Sequence, residues 1–110
     1  MKKSFEPFIG TWSIVEMEAW GQEYIDMETP GHFTFNKDGM GHFQFGLVQG
    51  EMDCRVEIFD KGERLEFSWE GQDELDPASG RGWFVIENME LHGRIFFHQG
   101  DDSLFRAIRA

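Results

Sequence analysis

Two carboxylates, Glu16 and Glu18, follow Trp12 and Ile14 at intervals of two along a strand-like run. Alternate side chains of a strand share a face. If Trp12 points into an apolar interior, Glu16 and Glu18 follow it there. A buried carboxylate needs a donor or takes up a proton. Such a group could anchor the polar end of a ligand, or carry acid–base chemistry in an enzyme. A bulge after Ile14 would reverse the phase, turning Val15 and Met17 inward and leaving both carboxylates in water. Trp20, Trp69 and Trp83 are the other large anchors. With Glu16 and Glu18 they form the candidate ligand-binding set.

Other chemistry is thinly supplied. His32, His42, His92 and His98 alternate out of phase with their apolar neighbours and should face solvent, so no convergent metal or haem site is expected. Asp73, Glu74 and Asp76 share a loop but lack the ordered frame of a calcium site. No Ser-His-Asp, Cys-His or phosphate-loop arrangement is visible, and no cofactor is expected. Cys54 shares a face with Met52 and Val56 and reads as a buried, inert thiol.

The elements that must hold these residues are strands. The chain has 110 residues, 40% of them hydrophobic and 15% aromatic, which suits one domain over residues 1–110. Period-two alternation runs nearly throughout. Phe33, Phe35, Phe43, Phe45, Met52, Val56, Ile58, Leu65, Phe67, Trp69, Ile95 and Phe97 are predicted to be buried. His32, Gln44, Asp53, Arg55, Glu57, Glu66 and Glu70 are predicted to be exposed. Turns are read at residues 36–39, 49–50, 60–62, 88–90 and 99–102, with the longest loop of the second half at 71–80. Strand 81–87 is apolar on both faces, so either Trp83 and Val85 or Phe84 and Ile86 must point outward. Residues 19–31 resist the pattern and read as a short helix or crossover ended by Pro30-Gly31. About eight strands joined by short turns pair with their neighbours and can close, which removes exposed edges. The expected fold is therefore all-β: an up-and-down antiparallel barrel of about eight strands.

The net charge is −11, from 21 acidic and 10 basic residues, which makes nucleic acid a poor partner. No run is long and apolar enough to span a bilayer as a helix. With a single cysteine and no signal-like start, the expected compartment is the cytoplasm.

At Phe8-Ile9-Gly10-Thr11-Trp12 the chain resembles the start of calycins, the superfamily of lipocalins and fatty-acid-binding proteins. The resemblance implies that Gly10 and Trp12 close the barrel base and that an arginine of the last strand crosses the tryptophan. Arg109 is the best positional match and Arg106 the second. The chain is also similar to a group of small uncharacterised bacterial proteins. It departs from lipocalins in length, disulfide and the Thr-Asp-x-x-Tyr motif. It departs from fatty-acid-binding proteins where Arg106-Ala107-Ile108 replaces Arg-x-Tyr. The resemblance implies a small apolar or aromatic ligand at an open barrel end. The alternatives are an interaction or structural module whose barrel its own side chains fill, and an enzyme using Glu16 or Glu18.

Overall fold

A computed structural model describes residues 5–59 and 62–110. A 3-10 turn at Glu6–Phe8, with Pro7 in its first turn, leads into β1 (Gly10–Met17). A one-turn helix α1 (Gln22–Ile25) follows, then β2 (His32–Phe35), β3 (Met40–Phe45) and β4 (Val48–Phe59). The remaining strands are β5 (Gly62–Asp73), β6 (Asp76–Glu87), β7 (Glu90–Phe97) and β8 (Asp102–Arg109). Each pairs antiparallel with its neighbour, and β1 pairs with β8, so the eight strands close into a barrel.

Alternation places most of the predicted core inside, from Phe33 and Phe35 through Met52 and Val56 to Leu65, Phe67 and Trp69. Ile58 is a correction: it is 42% exposed, close to the end of the long β4. Phe97, the last residue of β7, is half-buried. His32, Gln44 and Glu66, expected outside, are half-buried.

Two glycine readings also change. Gly50 stands inside β4 rather than in a turn, and the turn before it is Gly46-Leu47. The predicted loop 71–80 is a tight hairpin instead: β5 runs to Asp73 and β6 starts at Asp76, with Glu74 at φ 62. Part of the turn read at 60–62 lies outside the described residues.

Gly50 and Gly80 belong to a pattern that fills the barrel. Gly50 pairs with Phe43, Gly82 with Phe67, Gly80 with Trp69 and Gly93 with Phe105. A Cβ on Gly82 would lie 2.3 Å from the Phe67 ring, and one on Gly50 2.6 Å from the Phe43 ring. Each aromatic ring therefore lies over the bare backbone of the neighbouring strand, which offsets the entropic cost of glycine in a strand. Phe84, fully buried, is the hub of this interior. Its ring centroid lies 4.7 Å from Phe67, 4.9 Å from Phe35, 5.0 Å from Phe33 and 5.1 Å from Phe105. Eight strands leave an interior just wide enough for side chains to fill it, and here the rings do so.

Cys54 belongs to the same interior. Desolvation, and secondarily Asp53, pushes its thiol up to about 12. At pH 8 its thiolate fraction is then on the order of 10⁻⁴. A thiol-specific reagent at that pH should leave the native protein unlabelled and take up one equivalent after denaturation. Rapid labelling of the native state would show that this wall of the barrel opens.

Candidate functional site

Both barrel ends are closed by the chain itself. At the base, Phe8 is buried and its carbonyl accepts a hydrogen bond from Trp12 Nε1 at 3.0 Å. The Arg109 guanidinium lies 4.0 Å over the Trp12 ring and donates to the carbonyls of Ile9 at 2.5 Å and Pro7 at 2.8 Å. Gly10 makes this possible: its φ is +116, and a Cβ there would meet Arg109 Nη1 at 2.9 Å. The first and last strands and the 3-10 turn are thus tied at one point.

At the other end, residues 19–31 fold across the barrel mouth. Ile25 is fully buried, and its carbonyl accepts a hydrogen bond from Gly46 N at 2.9 Å. Gly46, at φ +58, leaves room for the Tyr24 ring, which a Cβ would strike at 2.1 Å. Trp20 packs on Phe45 at 5.1 Å and Phe97 at 5.9 Å. Trp69 meets Phe43 and Phe97, each at 5.1 Å, and its Nε1 donates to the Phe96 carbonyl at 3.2 Å. Two of the candidate ligand residues, Trp20 and Trp69, therefore seal this end, where an open mouth was expected.

The three others meet outside. Register along β1 shifts between Ile14 and Glu16: Ile14 pairs with Ala107, and Glu16 with Arg106. This bulge reverses the phase, so Met17 is buried, and Glu16 and Glu18 face outward rather than into the barrel. On β6 Phe84 takes the interior and Trp83 the outer face. Glu16, Glu18 and Trp83 line one outer groove of about 370 Å³, together with His92, Leu104 and Arg106.

The rim of this groove is an ion-pair chain. Arg106 Nε donates to Glu16 Oε1 at 3.2 Å, and its Nη1 to Glu90 Oε2 at 3.3 Å. His92 Nε2 lies 3.4 Å from Glu90 Oε1. The Glu16 hydrogen bond is the main cause raising the Arg106 pKa, with Glu90 adding to it. Glu18 is tied to β8, its carboxylate accepting from Leu104 N at 3.2 Å and its own N–H donating to Leu104 O at 2.9 Å. The floor is apolar, through Leu104 and the flank of Trp83, whose ring lies 5.2 Å from the Arg64 guanidinium. An apolar floor under a charged rim suits a small molecule with a flat apolar body. Sequence reasoning reached Glu16, Glu18 and Trp83 but not Leu104 or His92. The register Arg94↔Leu104 and His92↔Arg106 brings those in, and no local motif marks it.

Among the described residues, no group of three or more His, Cys, Asp or Glu is placed to hold a metal ion. No helix among them is long and apolar enough to cross a membrane.

No protein-family model matches the chain, and no curated protein matches it. Among solved structures it is similar to the apo crystal structure of lipid binding protein 8 from Caenorhabditis elegans. Identity is 15% and the TM-score 0.52, over 100% of both chains. The likeness is one of fold. The chain forms a closed eight-strand antiparallel barrel with a short helix after the first strand, the calycin-like architecture that the Gly10-Thr11-Trp12 signature implied.

Proposed function

We propose that this is a binding protein for a small apolar or aromatic molecule, held on the outer wall of the barrel against Trp83 rather than at an end. One contrast supports the reading. The barrel axis is occupied by its own phenylalanines, whereas the groove at Trp83 and Leu104 offers about 370 Å³ on the outer wall. An aromatic ring stacked on Trp83 would gain burial and ring contact.

The test uses 8-anilinonaphthalene-1-sulfonate, an aromatic anion, titrated into the full chain with fluorescence as the readout. Trp83→Leu should weaken its binding about tenfold, the scale of one lost aromatic contact. Trp20→Leu should leave it unchanged. Loss of binding in Trp20→Leu with Trp83→Leu unaffected would return the site to the barrel mouth.

A second reading, an interaction or structural module, is favoured by the filled interior itself. Failure of the wild-type chain to bind the probe at all would put that reading first.

A further inference from the structure

We propose that Arg81 anchors a separate site for a carboxylate-bearing small molecule on the outer face of β5, β6 and β7. Among the described residues every other arginine is engaged. Arg55 meets Asp53, Arg64 meets Glu66, Arg94 meets Asp102, and Arg106 meets Glu16 and Glu90. Arg109 is spent on the carbonyls of Pro7 and Ile9. Arg81 is exposed and has neither a carboxylate nor a carbonyl partner among these residues.

Its guanidinium is nonetheless held in place. It lies 4.1 Å over the Phe96 ring, and the Phe96 backbone is fixed by the hydrogen bond that its carbonyl accepts from Trp69 Nε1 at 3.2 Å. Stacking takes up one face of the guanidinium and leaves its N–H edge free. That edge has the geometry of a two-pronged donor to a planar carboxylate.

The surroundings supply further donors. Register places Ser68 opposite Arg81, and Arg81 opposite Phe96. Ser68, Ser79, Arg81, Phe96 and His98 line a groove of about 580 Å³. Neither serine hydroxyl has a hydrogen-bond partner among the described residues. The His98 N–H bonds the Ser79 carbonyl at 2.7 Å, which draws the far side of the groove together.

Charge decides which anion fits. Glu70 stands opposite Ser79, Asp102 stands opposite Phe96, and the whole chain carries −11. A monoanionic, planar carboxylate faces less repulsion there than a phosphate dianion and matches the guanidinium fork better. The Arg94–Asp102 ion pair lies between this groove and the one at Trp83, since Arg94 pairs with Trp83 and Asp102 with Phe96. The proposal therefore stands apart from the function assigned to that neighbour.

The experiment is a nitrogen-15 NMR titration of the full chain with benzoate, read at the Arg81 Nε–H resonance. A saturable shift is expected with benzoate, and none with benzamide, its neutral counterpart. Arg81→Gln should weaken benzoate binding about tenfold or more, as loss of a charge-assisted hydrogen-bonded pair predicts. Trp83→Leu should leave it intact. Should Arg81→Gln melt below the wild type, Arg81→Lys becomes the comparison, and undiminished benzoate binding there overturns recognition by the fork. Equal response to benzamide, tighter binding of inorganic phosphate, or no saturable shift also overturns the proposal.

Discussion

Trp12→Ala will cost about 3–5 kcal/mol of folding stability, the range for deleting a large buried aromatic. The ring is 1% exposed, and three parts of the chain converge on it. The Phe8 carbonyl takes its indole N–H, Arg109 lies across its face, and Phe33 is its partner on β2. A fold of this size has a stability of about 5–15 kcal/mol, so the change removes a large share of it. Arg109→Ala should cost about 1–2 kcal/mol, because it removes the stack and two hydrogen bonds to carbonyls. The two losses should not add. Without the indole, Arg109 has no ring to cover, and its removal should cost less in the Trp12→Ala background. Denaturant unfolding of the two single variants and the double variant measures this coupling. Additive losses would mean that the guanidinium works through the carbonyls of Pro7 and Ile9 alone. The same result bears on Gly10, since a side chain there would push Arg109 off the ring.

How far the sequence could be read depends on what each signal measures. Alternation reports which face of a strand is apolar, and it gave the interior of β2, β3, β4 and β5 correctly wherever those strands lie in the barrel wall. It does not report where a strand leaves that wall. Ile58 keeps the right phase but stands close to the end of β4, and Phe97 ends β7 at the mouth, against Trp20 and Trp69. The β1 bulge is a matter of one extra residue. Val15 carries no mark of it, so the sequence leaves both the inward and the outward reading of Glu16 open, and pairing with β8 selects the second.

Of the strand glycines, Gly50 reads locally as a turn and Gly80 as the end of a loop, while Gly82 falls within a predicted strand. Gly80 and Gly82 are spaced by two, as are their partners Phe67 and Trp69. A glycine pair and an aromatic pair with matching period on successive strands signal rings laid over bare backbone, which a turn would not need. The outer grooves were less legible, because they join residues of three or four strands. Their composition follows from register, and register is a property of pairs of strands.

The filled interior also sets the second large effect. Phe84→Ala should cost about 3–5 kcal/mol, since Phe84 is fully buried and its ring is met by Phe33, Phe35, Phe67 and Phe105. The neighbours are rings held in close-packed layers, and they can collapse only partly into the space left. What remains is an apolar cavity, of the kind that stays dry and accepts small aromatic molecules. Benzene should therefore raise the melting temperature of Phe84→Ala while leaving that of the wild type unchanged. Binding to the folded state alone stabilises by about 2.7 kcal/mol when the ligand is at 100 times its dissociation constant, enough to register clearly in a melt. Should Phe84→Ala fail to fold, Phe84→Leu leaves a smaller void, and the same comparison applies with a smaller rise. The wild-type result matters most. If benzene stabilises the unaltered protein as strongly as the variant, the barrel already holds accessible space around Phe84. The reason for placing the ligand outside, against Trp83, would then be gone. If only the variant responds, Phe84 occupies the place that an internal ligand would need, and binding by this barrel belongs to its outer wall.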